Sequence, residues 1–450
     1  MSKVYRPYAP GQAFLFPPSP TEWLPEDHLA RFVMDVVSQL DLSAIYRHYE
    51  RELRGFPPHH PQMMVALLLY AYCVGVPSSR RIERKTYDDV AFRVIAANEH
   101  PDHTRISDFR RVHLKALAGL FVQVLKLCQA AGLVRLGHVA LDGTKVKANA
   151  SKHKAMSYDR MKKDESRLKE KVDRLLRQAE QMDAAEDARY GRGKRGNELP
   201  EDLRRSQDRL ERIRALKAAL EAEAREQQSQ RDDSDDDTGG PAAPSETLPT
   251  HKIPVEKDGK PTDKAQRNFT DSESRIMKMS DGFVQAYNCQ AVVDAEKQII
   301  VAQEVSNQPP DVEYLQPLME QAIRNCGQAP GQLSADAGYF SEANLVYAMN
   351  QGIEPFIATE RKKHAAEEPA IRGRAPKEQT LKQAMARKLA TRRGKAAYAK
   401  RKVTVEPVFG QIKEARGFRR FLLRTLEKVR GEWALMALTH NLLKLHRATG

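Results

Sequence analysis

The 450-residue chain is poor in cysteine, in aromatic side chains and in long apolar runs, and each shortage argues against a class of protein. Its four cysteines, Cys73, Cys128, Cys289 and Cys326, have neither close paired spacing nor neighbouring histidines. That argues against a disulfide framework and against a zinc module, and favours a reducing cytoplasm. The longest apolar run, Met63 to Val76, has 14 residues, whereas a membrane span needs about 20. Met1 to Pro20 carries no signal-peptide pattern, so a soluble, unsecreted protein is expected. Acidic excess is also missing: 74 Lys and Arg face 60 Asp and Glu, a net charge of +14. With 41% apolar and 30% charged residues the composition is globular, and the length allows about three domains.

The positive charge is concentrated. Between Arg361 and Lys402 fifteen Lys or Arg are opposed only by Glu367, Glu368 and Glu378. Such a cluster either solvates a flexible face or attracts polyanionic phosphate. Its apolar content beyond alanine is slight, so a loop or partly ordered arm is expected.

The first 135 or so residues read as a compact all-α head. Ser78 and Ser79 suit the start of a helix through Ile82, Val90, Phe92 and Val94. A second helix from about Ser107 would carry Phe109, Val112, Leu114, Leu117, Leu120 and Val124. Two helices across a short turn have helix-turn-helix spacing, and Arg105, Arg110 and Arg111 would begin the helix that reaches a DNA groove. Ordinary packing of an all-α domain reads equally well. From Tyr158 to Ala188, and again from Leu203 to Leu220, apolar residues keep a helical rhythm on either side of a Gly191–Pro200 turn, which predicts an antiparallel hairpin. Gln227 to Lys264, with Asp232, Asp233, Asp235, Asp236 and Asp237 and then a Gly- and Pro-rich stretch, reads as a disordered linker. Strands are expected over 137–147, 286–293, 298–305, 332–336 and 353–358, with helices over 311–325 and 341–349. The fold class is therefore α/β, a mixed sheet interrupted by the hairpin and linker.

Three acids occupy positions of interest. Asp142 follows the apolar run HVAL, Asp336 closes the run QLSA, and Glu406 precedes Pro407, which places it at the opening of a helix. Open α/β sheets gather ligands at the carboxyl ends of their strands. Each acid alone has an ordinary structural explanation as a cap, a turn residue or a first-turn glutamate. Together they repel one another unless a cation neutralises them. Oxygen donors without Cys or His select Mg2+ or Mn2+. Two such ions per site would support in-line attack on a phosphodiester, meaning strand cleavage and joining. Lys413 lies seven residues beyond Glu406, on the same helical face, and Tyr398 and Arg401 precede it.

These residues carry a resemblance. The segments LDGTKVKANAS (Leu141 to Ser151), ADAGYFS (Ala335 to Ser341) and YAKRKVTVEPVFGQIKEARGFRRF (Tyr398 to Phe421) resemble the three signature blocks of DDE-class insertion-sequence transposases. Ser78 to Arg110 resembles the helical amino-terminal domain of related groups. The resemblance excludes Lys154 to about Arg275. It implies a ribonuclease-H-like core with Asp142, Asp336 and Glu406 as the catalytic, metal-holding triad, and Tyr398, Arg401 and Lys413 as its DNA-contacting companions. The usual spacing puts three residues between that Arg and the Glu. Here Arg401 and Glu406 are separated by four, so Lys402 competes with Arg401 for the role.

The organisation expected is a helical DNA-binding and dimerisation domain over 1–135, a catalytic core from 136–153 and 276–450, a helical-hairpin insertion over 154–230 and a disordered linker over 231–275. The function expected is a DNA transposase that binds terminal inverted repeats and cuts and joins strands with two Mg2+ ions. Its partners would be double-stranded transposon ends and target DNA, held by a homodimer, in the cytoplasm at the nucleoid and without a membrane. The alternatives are a non-catalytic repressor of its own element and a ribonuclease-H-like nuclease without strand transfer.

Overall fold

Side-chain caps mark the start of three of the head's described helices. The computed structural model describes residues 20–50, 58–190, 201–235, 252–256, 258–279, 282–360, 370–371, 373, 376 and 378–449. Seven helices form the head: α1 (Leu29–Gln39), α2 (Ser43–Tyr49), α3 (Pro61–Cys73), α4 (Ser79–Asp88), α5 (Val90–Ile95), α6 (His103–Val112) and α7 (Leu114–Ala130). The two helices expected over 78–124 are four. Asp89 accepts from the amides of Ala91 and Phe92 and starts α5, and Asp102 accepts from those of Thr104 and Arg105 and starts α6. Both satisfy donors that would otherwise be orphaned at a helix start. A 71° bend at His113 then separates α6 from α7. Helix α3, apolar nearly all round, is buried from Met64 to Cys73, as its composition requires.

The sheet is built from β1 (Val139–Lys147), β4 (Arg275–Met279), β5 (Gly282–Asp294), β6 (Ile300–Ser306), β7 (Gln332–Ala335) and β8 (Glu354–Ile357). A separate small ladder pairs β2 (Ala155–Ser157) with β3 (Gln266–Asn268). The main path runs β4-β5-β1-β7-β8, and β6 shares with β4 the outer edge of the long β5. Strands β1 and β5 are antiparallel, whereas β1, β7 and β8 are parallel, which requires the crossover helices α10 (Leu315–Cys326) and α11 (Glu342–Asn350) between strands. This is the mixed α/β core read from the sequence.

The insertion after β1 is the expected antiparallel hairpin, α8 (Tyr158–Tyr190) and α9 (Glu201–Asp235). It encloses its own core of Met161, Leu168, Val172, Leu210, Ile213 and Leu220 and is tied by Glu165 to Arg214 and Lys217. Residues 191–200, the expected turn, lie outside the described residues. The linker reading needs correction. Helix α9 runs on to Asp235, and beyond the undescribed stretch 236–251 the chain is folded, with Ile253 and Ala265 buried against the hairpin. Two well-placed apolar residues and the β2–β3 ladder suffice to order a segment whose average composition reads as disorder. The linker's aspartates 236 and 237 fall outside the described residues.

The basic segment is likewise more ordered than an arm. Residues 361–369 lie outside the description. Helices α12 (Leu381–Ala390) and α13 (Arg392–Gly410) occupy most of the rest. Thr380 and Gln383 form a reciprocal capping box at the start of α12. Lys388 and Arg393 both pair with Glu354, and the Lys388 ammonium lies 4.2 Å from the Phe356 ring centroid. Internal partners therefore neutralise part of the charge that would have kept the segment in solvent.

Helix α14 (Leu426–Thr449) joins head to sheet. It is buried almost continuously from Gly431 to Leu442, with Trp433 fully enclosed, and head and sheet share one hydrophobic cluster. Asn441 on α14 accepts from the Ile300 amide at 2.9 Å and donates to the Ile300 carbonyl at 2.8 Å. A side-chain amide thus closes the free edge of β6, where unpaired backbone groups would invite another strand. No single helix among the described residues is long and apolar enough to cross a membrane.

Candidate active site

Strand register brings the first two acids together. Leu141 of β1 pairs with Ala335 of β7, so the next residue on each parallel strand is an aspartate, Asp142 and Asp336. Neighbouring strands lie about 4.8 Å apart. Asp336 ends its strand as the cap of a short 3-10 turn, accepting from the Gly338 amide at 2.8 Å. A Cβ at Gly338 would lie 2.9 Å from Asp336 Oδ1 and 3.3 Å from Asp311 Oδ2. Glycine is required there because the carboxylates crowd the backbone. Similarly, a Cβ at Gly143 would lie 2.6 Å from Gln290 Nε2.

Glu406 reaches this point from α13, and here the sequence reading is corrected: the glutamate lies near the end of a 19-residue helix rather than at its opening. Pro407 sits inside the helix and cannot donate to the carbonyl of Val403. That carbonyl instead accepts from Gln298 Nε2 at 2.9 Å, so the helix survives its proline. Past Gly410 it widens into a π turn over Gln411–Ala415, a feature common at functional sites. Lys413 on this turn donates to Thr144 Oγ1 at 3.0 Å and to the Lys145 carbonyl at 3.2 Å. It is thereby held against β1, two residues beyond Asp142, and burial lowers its pKa.

Arg401 and Lys402 are placed differently by the helix. Arg401 Nη1 lies 2.5 Å from Asp142 Oδ2, and Nη2 lies 3.4 Å from Glu406 Oε1, so one guanidinium bridges two of the three acids. Lys402 is exposed. The spacing of five positions along the helix still lets Arg401 fold back over the strand ends, where its guanidinium lies 5.9 Å from the Tyr398 ring centroid. Side-chain exposure is 16% for Asp142 and 12% for Arg401 but 52% for Glu406. The site is a half-buried aspartate and arginine with an exposed glutamate at its mouth.

Burial pushes the Asp142 carboxyl up to about 7. The Arg401 guanidinium and the Gly143 amide work against that rise, while the charges of Asp336 and Asp311 add to it. Burial also opposes the charge on Arg401, but Asp142, Tyr398, Asp336 and Glu406 outweigh it and raise its pKa. Among the described residues no three Asp, Glu, His or Cys side chains converge closely enough to hold an ion. Arg401 occupies the space between Asp142 and Glu406 and supplies the positive charge there. The donor set, carboxylate oxygens alone, is that of a hard divalent ion.

A fourth acid was missed. Asp311 Oδ1 accepts from Asn288 Nδ2 at 2.6 Å and Gln290 Nε2 at 2.7 Å, with Lys145 Nζ at 3.7 Å. Gln290 in turn accepts from the buried Tyr339 hydroxyl. The signal was available, since Asp311 follows Pro309 and Pro310 beyond the end of β6 as Asp336 follows β7; Asp142, expected at a strand end, instead lies inside β1, which runs on to Lys147. It was absorbed into the helix expected over 311–325.

The head's arginines divide. Arg110 is buried, donating to the Pro77 carbonyl at 2.7 Å and to Tyr72 Oη at 3.3 Å. It fastens α6 to the α3–α4 turn and is not presented to DNA, which corrects its reading as a groove residue. Arg105 and Arg111 are exposed beside Asp102 and Asp108.

Residues 246–442 match the family model described as Transposase DDE domain, and residues 18–112 match Transposase domain (DUF772). No curated protein and no solved structure matches the chain. The first match contains Asp311, Asp336, Glu406 and Lys413 but not β1 with Asp142, and the hairpin lies between the two. It takes in 246–275, which the resemblance left out and of which the described residues 252–256 and 258–275 are folded. Two transposase-domain matches in one chain, on a mixed sheet whose parallel strands set Asp142 beside Asp336, support an insertion-sequence DDE-class transposase with that sheet as its ribonuclease-H-like core.

Proposed function

We propose that this transposase binds the terminal inverted repeats of its element as a homodimer, cleaves at the ends and joins the 3′ ends to target DNA. Asp142, Asp336 and Glu406 hold two Mg2+ ions, or Mn2+ in their place. The alignment of Asp142 beside Asp336 on parallel strands, with Glu406 reached through Arg401, carries this reading. When bound, the ions supply Lewis-acid activation of the attacking oxygen and neutralise the leaving one. The chain's own residues orient the DNA. Lys413, fixed by Thr144, presents an ammonium beside the scissile phosphate. Arg401, whose buried Nε has no hydrogen-bond partner among the described residues, would turn from the carboxylates to phosphate oxygens were the acids to hold the ions. Tyr398 supports that guanidinium by stacking. Arg105 and Arg111 on the head, and Lys402 on α13, contact phosphates away from the chemistry. The head over 1–135 supplies end binding, and the hairpin or head supplies the dimer contact.

Asp142→Ala, Asp336→Ala and Glu406→Ala are each expected to abolish cleavage of end-containing DNA while leaving its binding intact. Full cleavage by any one of them rules out that residue's role. A strand-transfer assay with 3′-hydroxyl-ended oligonucleotides separates transposition from plain hydrolysis.

A further inference from the structure

The hairpin insertion, which the chemistry above does not use, carries a cleft of about 450 Å³ where α8, α9 and the β2–β3 ladder meet. Its walls are cationic. Arg205, Arg209 and Arg212 come from one face of α9 at helical spacing, Arg160 from the first turns of α8, and Lys154 from the short turn before β2. Asp208 is the one acid lining it, and Arg209 has a second acidic neighbour in Asp164 at 3.8 Å. Met156 and Phe269 contribute apolar surface. Cationic side chains from three elements are drawn to one concave surface, where their fields add and mutual repulsion is relieved by an anion.

The path from the catalytic strand to this cleft is also basic. The chain leaves Asp142 along β1 to Lys147, whose backbone pairs with the loop after the π turn. The Lys147 amide donates to the Arg419 carbonyl, and its carbonyl accepts from the Phe421 amide at 2.9 Å. Arg424 Nε reaches the Asn149 carbonyl at 3.1 Å. Lys147, Arg420 and Arg424 thus lie between the acids and Lys154. Eleven residues separate Asp142 from Lys154, which caps their distance at about 43 Å and leaves one turn of duplex, about 34 Å, within reach.

We propose that the cleft between α8, α9 and the β2–β3 ladder is a second DNA site, which takes the phosphate backbone of duplex DNA roughly one helical turn from the scissile bond and reads no sequence. This rests on the transposase reading of the site above and assigns the insertion a role within it. The cleft anchors and orients flanking duplex, so that base-reading elements elsewhere need supply only sequence recognition.

The test uses the full-length protein and two 40-base-pair duplexes, one of random sequence and one carrying the DNA that borders the reading frame. Binding is followed by fluorescence anisotropy against salt concentration. Neutralising Lys154, Arg160, Arg209 and Arg212 together to Gln is expected to lower the slope of log K against log salt by about 3.6, at nearly 0.9 per phosphate contact, equally for both duplexes. Lys163→Gln with Arg174→Gln, exposed elsewhere on α8, should leave it unchanged. Circular dichroism melting checks that the fourfold variant is folded; if it is not, Arg160→Gln with Arg212→Gln is expected to lower the slope by about 1.8. An unchanged slope in a folded variant overturns the proposal, as does loss confined to the border duplex, which would mean sequence readout. Metal-dependent cleavage by the unaltered protein is measured in parallel, so failure of the catalytic reading shows there and leaves the slope comparison interpretable.

Discussion

Protons and metal should compete at Asp142. With its carboxyl pushed from an ordinary value of 3.8 to about 7, Asp142 holds a proton at pH 5.5 for about 97% of the time. A divalent ion must displace that proton, so apparent Mn2+ affinity should rise roughly 30-fold between pH 5.5 and pH 8 and level off above it. Calorimetric titration in buffers of different ionisation enthalpy would report about one proton released per site at the lower pH and almost none at the upper. Arg401 is the principal group holding this pKa down, so Arg401→Gln should move the midpoint upward. An affinity flat across this interval, or a midpoint that falls in the variant, would refute the reasoning. The same shift bears on the metal-free fold. Folded Asp142 keeps its proton up to about pH 7 while the unfolded chain releases it near 3.8. Its contribution is therefore fully present below pH 4 and is withdrawn as pH rises through 7, on the order of 4 kcal/mol in total.

Arg401→Ala should lower cleavage by about 100-fold, whereas Lys402→Ala should change it less than threefold, because only the former touches the acids; oligonucleotide cleavage rates at saturating DNA decide between them. Lys413→Met, close in volume and uncharged, should reduce the cleavage rate by about 100-fold with little change in end affinity. A purely structural lysine would instead show a lowered melting temperature and an unchanged rate. Glu432, fully buried, accepts from the Leu422 and Leu423 amides at 3.1 and 2.9 Å. Glu432→Ala leaves both donors unsatisfied within the core and should destabilise the protein by about 3–5 kcal/mol in denaturant unfolding.

The site was legible where an acid closes an apolar run, although only Asp336 proves to end its strand and Asp142 lies inside β1. Asp142 and Asp336 each close an apolar run, and register then does the rest. Glu406 was recognised but misplaced, because Pro407 ordinarily marks a first helical turn and only a distant side chain, Gln298, lets the helix continue through it. The ambiguity between Arg401 and Lys402 lay beyond spacing arguments, since it depends on how a side chain folds back over the sheet. Likewise Arg110 looked like a surface arginine until Pro77 and Tyr72 enclosed it. The hairpin's apolar rhythm predicted its two helices, but the folded segment after the acidic run depends on a few residues such as Ile253 and Ala265. Helix α14, buried on nearly every face through its middle although it carries Glu432, Thr439, His440 and Asn441 there, belongs to both head and sheet, a role that no local pattern encodes.

The central claim is that the three acids share divalent ions once Arg401 gives way. Its most direct measurement is anomalous scattering from Mn2+ in crystals of the protein bound to end DNA. The account predicts manganese coordinated by Asp142 and Asp336, with Glu406 ligating as well and Arg401 turned toward phosphate. Manganese bound elsewhere, or Arg401 still spanning Asp142 and Glu406 in a cleavage-competent complex, would contradict it.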